Sequence, residues 1–194
     1  MDLAVIEPGD LAPLLRGLVN LEELALHARA DEQALILLQK AEKEGFLNVA
    51  RLFKAISYSE QVHARNHYNV LRGLNEEAKM VAGTPVGPGM TLKNLELAIR
   101  GEEYEVSEMY PAYLEVARLQ GEREAELSFK HAYESEQVHA RLYREAKNYV
   151  EKSSDLPMLG NAWVCKICGY TLIAAEPPTK CPICGATKER FASF

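Results

Sequence analysis

Between residues 10 and 151 the apolar positions recur in steps of three and four, the period of helices that bury one face. Gly and Pro gather at a few breaks: Gly45, the stretch from Gly83 to Gly89, Gly121, and the stretch from Ser153 to Gly160. The pattern predicts four helices, running from about Asp10 to Glu44, Phe46 to Leu74, Thr91 to Gln120 and Glu122 to Lys152. Asp10 and Thr91 are suitable N-caps. Pro111 should kink the third helix, because it lacks a donor and crowds the preceding turn.

The first and second helices are joined by one turn around Gly45, and the third and fourth by one around Gly121, so each pair should form an antiparallel hairpin. The connection from Asn75 to Met90 is long enough to span ~50 Å, so it can cross the length of a bundle. Two hairpins with one long crossover make the ferritin-like form of an all-α four-helix bundle. An internal repeat agrees: Ser59-Glu60-Gln61-Val62-His63-Ala64-Arg65 returns 76 residues later as Ser135-Glu136-Gln137-Val138-His139-Ala140-Arg141, and the same offset carries Gly45 onto Gly121.

The inner stripes are not apolar throughout. In the second helix Val49, Leu52, Phe53, Ile56, Val70, Leu71 and Leu74 continue through Glu60, His63 and His67. In the fourth, Ala125, Phe129, Ala132, Tyr143 and Ala146 continue through Glu136 and His139. The third helix carries Leu92, Leu95, Ile99, Met109, Tyr113 and Val116, interrupted by Glu102 and Glu105. An unpaired buried carboxylate costs roughly several kcal/mol, and basic residues fall mostly off these stripes. Bound cations satisfy several carboxylates at once. Glu-x-x-His places both ligands on one helix face, and two such motifs with further glutamates are how di-metal bundles are built. A solvated face or a salt-bridge network is the bland alternative for a single motif; two copies in register favour metal.

Composition adds a second module. All four cysteines lie in Cys165-Lys-Ile-Cys168-Gly169-Tyr170 and Cys181-Pro182-Ile183-Cys184-Gly185, with twelve residues between the pairs. Such turns aim four thiolates at one iron or zinc ion, and a segment so short needs the ion to fold. Disulfides within the segment are the alternative. Residues 1–152 are therefore read as the bundle, 153–161 as a linker and 162–194 as a small metal knuckle. The 22 basic and 28 acidic residues form no basic block, which argues against nucleic acid or an anionic membrane as partner. No apolar run reaches spanning length and the N-terminus is acidic, so a cytoplasmic location is expected.

These features together resemble the rubrerythrin family of non-haem di-iron peroxidases, from about His27 to Phe194. The family's third-helix signature is matched by Gly101-Glu102-Glu103-Tyr104-Glu105 and Glu108-Met109-Tyr110-Pro111, its other ligand motifs by the two Glu-x-x-His copies, and its rubredoxin-like tail by Trp163 to Phe191. The resemblance implies two irons bridged by Glu60 and Glu136, with Glu102, Glu105 and His139 as terminal ligands and His63 at the position where an iron exchanges ligands on reduction. It implies Glu105 and Tyr110 as catalytic residues, and iron or zinc on Cys165, Cys168, Cys181 and Cys184. Hydrogen peroxide as substrate, a separate electron-donating reductase, and a head-to-tail homodimer pairing one subunit's tail with the other's bundle are implied as well. The first helix departs from the pattern. Aligned on Ala41-Glu42-Lys43-Glu44-Gly45, the family's ligand glutamate falls on His27 and its active-site tyrosine on Ala34; Glu23 and Asp31 stand one turn to either side. Four glutamates balance two ferrous ions but not two ferric ones, so His27 is expected to raise the site's reduction potential or weaken its first metal position. A non-catalytic metal or electron-transfer protein and a ferritin-like iron oxidase are the competing readings.

Overall fold

The computed structural model describes residues 36–72 and 89–194. His27, with Glu23, Asp31, Ala34 and the Asp10 cap, lies outside the described residues, as does the crossover from residue 73 to 88. The helices are α1 (described over 36–43), α2 (Leu47–Arg72), α3 (Thr91–Tyr104), α4 (Tyr110–Gln120) and α5 (Arg123–Val150). A π-helical turn, Glu105–Met109, joins α3 to α4, so α3 and α4 form one rod and the described residues make four rods.

The two hairpin turns are built alike. Gly45 and Gly121 both take positive φ, 86° and 71°. Just beyond them, Phe46 N–H donates to Ala41 O and Glu122 N–H to Ala117 O, each at 2.9 Å, closing the two helix ends. Among the described residues two cores fill the bundle. One joins Phe53, Ile56, Leu95, Ile99, Leu142 and Ala146; the other joins Met109, Tyr110, Leu114, Phe129 and Ala132. Along each helix the Glu and His positions fall between them.

Two details correct the sequence reading. Thr91 is not the cap of α3 but its first residue; the cap position is Met90, and Glu44 from the end of the first hairpin accepts Thr91 N–H at 2.8 Å. The third rod departs from α-geometry in the turn that precedes Pro111. Tyr110 N–H reaches back to Glu105 O, and the widened turn accommodates a proline that has no donor and crowds the carbonyls behind it. The extra residue also rotates the C-terminal half of the rod: Tyr110, Leu114 and Ala117 are buried where Tyr113 and Val116 were expected to be.

The tail is a three-stranded antiparallel sheet in the order β2-β1-β3, made of β1 (Asn161–Cys165), β2 (Thr171–Ala174) and β3 (Phe191–Ser193). Trp163 stands opposite Leu172 on one side and Ser193 on the other. The approach to the sheet is fixed to the bundle. Asp155 accepts the free N–H groups of Asn48 and Val49 at 2.8 and 3.2 Å, capping α2 from a distant part of the chain. Leu156 is fully buried in the bundle core, and Ala162 and Val164 of β1 pack on Ala55 of α2. The knuckle therefore sits on the bundle of its own chain.

Candidate metal centre

Helical spacing gathers the acidic residues. Glu60 and His63 lie one turn apart on α2, Glu136 and His139 one turn apart on α5, and Glu102 faces them from α3; all five are buried. One ligand atom from each of Glu60, Glu102, Glu136 and His139 falls within 4.8 Å of the others, a cage sized for metal. His63 joins it through Nδ1, 2.8 Å from Glu136 Oε1 and 3.3 Å from Glu60 Oε2. His139 Nδ1 is 2.6 Å from Glu136 Oε2, 3.4 Å from Glu60 and 3.8 Å from Glu102.

The tautomers follow from the other ring nitrogens. His63 Nε2 lies 3.1 Å from Cys168 O, which can only accept, so Nε2 carries the proton. His139 Nε2 donates in the same way to Thr171 Oγ1 at 3.1 Å, because that hydroxyl gives its own hydrogen to Gly169 O. Both imidazoles thus turn Nδ1 toward the carboxylates. That edge needs either a metal ion or a second proton, since a bare lone pair facing a carboxylate repels it.

Without metal the protons carry the compensation. Burial alone would lower the His63 pKa, but Glu136 and Glu60 outweigh it and lift the value to about 10. Burial and Glu60 push Glu136 up, yet His63 and His139 together bring it to about 2. Glu102 is held well above the usual carboxylate range by burial and then by Glu136, Glu60 and Glu105. Its Oε2 is buried without a hydrogen bond among the described residues. Acidic oxygens in excess, with imidazole Nδ1 atoms among them, fit hard-to-borderline divalent cations. The residues present therefore match a di-iron carboxylate and histidine site.

Four sulfurs form the second centre. Cys165 and Cys184 Sγ are 3.6 Å apart and Cys168 and Cys181 Sγ 3.5 Å, with all four within 4.8 Å. Tetrahedral thiolates about 2.3 Å from an ion stand about 3.8 Å apart, whereas a disulfide requires about 2.05 Å. The crowded sulfurs divide their protons unequally: Cys168 is pushed up by bonds from Cys165 and Cys181, and Cys181 is brought to about 2 by bonds from Cys165 and Cys168. This is a four-thiolate metal site of rubredoxin type.

The two centres meet. His63 has one ring edge on Glu136 and Glu60 and the other on the Cys168 carbonyl. Gly169, with φ at 84°, lies so close that any side chain there would strike His63 Nε2 and Ser59 Oγ. Glu105 stands half-buried at the first position of the π turn, outside the four-ligand cage. Tyr110 is fully buried beside His67, Phe129 and Tyr113, with ring centroids 6.4–6.5 Å away. Sequence reasoning passed over Ser59, Ser135 and Thr171, although both serines open the repeat. It placed His67 on the stripe but not its Nδ1 contact with Ser128 Oγ at 2.7 Å.

Both parts of the chain match known proteins. The family model described as Rubrerythrin matches residues 35–147, and that described as Rubrerythrin, rubredoxin-like domain matches residues 163–192. Rubrerythrin-2 of Clostridium acetobutylicum is 42% identical, over 82% of this chain and 86% of its own. Nigerythrin of Nitratidesulfovibrio vulgaris is 32% identical, over 79% of this chain and 74% of its own. A solved structure of partially reduced nigerythrin superposes with a TM-score of 0.76 at 28% identity, covering 100% of this chain and 89% of that one. Among the described residues no helix is long and apolar enough to cross a membrane.

Proposed function

The chain belongs to the rubrerythrin family, and from that premise we propose that it reduces hydrogen peroxide to water, with electrons entering through the four-cysteine centre. The balance is one peroxide, two protons and two electrons to two waters. Iron held in the bundle would supply the two electrons, and a separate reductase would restore them one at a time through the tail.

The observation that carries this reading is the doubly engaged His63 ring. One imidazole touches the carboxylate cage and the backbone of the four-cysteine loop, so a short hydrogen-bonded route joins the two centres. A storage protein has no use for such a contact. In the proposal Glu60, Glu136, Glu102, Glu105 and His139 would hold the two metals, and His63 would serve as an exchangeable ligand beside them. Glu105, half-exposed at the π turn, passes protons toward departing water, and Tyr110 is the second catalytic residue of the proposal. Residues 1–152 act as the catalytic bundle, 153–161 as the tether and 162–194 as the electron inlet, in a cytoplasmic homodimer.

Metal analysis and single-turnover kinetics on protein purified without air test the proposal. About three irons per chain, a visible ferric four-sulfur band and loss of peroxide at one equivalent per two electrons are expected. The second reading, metal binding without turnover, draws on His27 at the position of the first-helix glutamate. It predicts zinc in the tail, a colourless protein and no peroxide loss.

A further inference from the structure

The seven-residue repeat keeps more in common between its two copies than metal binding uses. Glutamate and histidine account for two of its seven identities; serine and arginine bind no metal here. What α2 does with them is visible at the knuckle. Arg65 Nη2 donates to Lys166 O at 2.6 Å and Asn66 Nδ2 to Ile167 O at 2.8 Å. Ser135 Oγ donates to Cys168 O at 3.0 Å, beside His63, and Ser59 Oγ to Gly169 O at 2.6 Å. Every carbonyl from Lys166 to Gly169 therefore takes a bond from a bundle side chain.

The opposite edges of the same peptide groups face the sulfurs. Ile167 and Cys168 N–H point at Cys165 Sγ, and Tyr170 N–H points at Cys168 Sγ. Three peptide planes are thus held at both ends: Arg65 on one side and Cys165 on the other, Asn66 and Cys165, Ser59 and Cys168. A donor on a peptide carbonyl polarises the group and strengthens what its N–H gives away. Stronger N–H···S bonds stabilise the more negatively charged, reduced form of a four-thiolate iron.

We infer that Ser59, Arg65 and Asn66 are positioning residues that set the reduction potential of the four-cysteine centre through these peptide planes. The bundle thereby raises the potential of the inlet that feeds it. The inference rests on an ion bound by the four cysteines and not on peroxide turnover, so it stands or falls separately from the peroxidase reading.

The neutral variants Ser59→Ala and Asn66→Ala test it in the full iron-loaded chain, because they alter no charge. Thr171 still serves Gly169 O after the first, and Asn66 is only partly buried, so the fold is retained. The midpoint is read from the ferric band in an equilibrium redox titration. The double variant should raise the oxidised-to-reduced ratio at fixed potential roughly tenfold, a fall of about 59 mV for a one-electron couple. In the zinc-loaded chain, the Cys168 and Tyr170 amide protons should move upfield as their bonds to sulfur weaken. Arg65→Lys, which keeps a charged donor, should shift the midpoint less than Arg65→Ala. An unchanged midpoint in the double variant overturns the inference whatever the amides do. If the tail accepts zinc alone, unmoved amide protons overturn it.

Discussion

Glu102 shows why the metal cage is costly to fold. Its carboxylate is buried among Glu136, Glu60 and Glu105, and one oxygen lacks a hydrogen bond among the described residues. Glu102→Gln removes a charge that only a cation makes favourable. The variant should stabilise the metal-free bundle by roughly 1–3 kcal/mol while lowering bundle metal from two ions toward one. Urea unfolding and metal analysis, each with and without iron, read the opposite signs. The metal-free protein should also respond to pH. His63 titrates near 6.5 unfolded and about 10 folded, so its contribution is complete below 6.5 and lost as pH rises through 10. Glu136, brought from 4.5 to about 2, contributes above 4.5 and loses that as pH falls toward 2. With zinc kept in the tail, the urea midpoint of the empty bundle should peak between these limits and decline toward pH 10, and iron should flatten the alkaline limb. A decline of equal size in the iron-loaded bundle would refute the assignment. These positions were legible because each interrupts an apolar stripe. Ser59 and Ser135 were not, because a buried serine breaks no pattern and its partners, Gly169 O and Cys168 O, lie 110 and 33 residues away.

At the scale of elements, the third rod separates what a steady period can reveal from what it cannot. Up to Glu102 the three-and-four spacing places Leu95, Ile99 and Glu102 inward, as the structure does. Beyond it the π turn inserts one extra residue, and Leu114 and Ala117 take the core places expected for Tyr113 and Val116. Nothing in hydropathy marks such an insertion, because Tyr113 and Val116 are as apolar as the neighbouring Leu114 and Ala117 that replace them. Pro111 marked the neighbourhood and not the geometry. Deleting Val106 should restore α-helical winding and turn the two halves of the rod against each other by about 100°. Circular dichroism should then show helix content retained, while bundle metal is lost and the tail's band persists. Retention of both bundle ions would show that the π turn does not set the ligand geometry. The cap on α2 was hidden for a related reason: Asp155 lies in a segment that reads as a tether, and only the tertiary fold brings it to Asn48 and Val49.

For the whole molecule the question is which bundle a tail serves. Resemblance to the family implies a head-to-tail homodimer with the contact made between subunits, whereas in this structure the contact lies within one chain. The anchors of the tail bear on this. Asp155 caps α2, Leu156 fills the core, and Arg51 Nη2 binds Asn161 Oδ1 and Phe194 O, both at 3.0 Å. A tail that reached a partner would have to release all of these and find the same ones on the other chain. Delivery within the chain is therefore expected. Co-expression of two disabled chains decides the matter: Cys168→Ser spoils the tail and leaves the bundle, and Glu136→Ala does the reverse. With in-chain delivery the mixture has no peroxide turnover beyond the sum of the separate variants. With delivery between subunits, half of randomly paired dimers hold one intact couple, and activity should recover to about a quarter of the unmodified protein's. Recovery of that size would show that the anchors close on the partner's bundle, with the same hydrogen bonds made across the dimer.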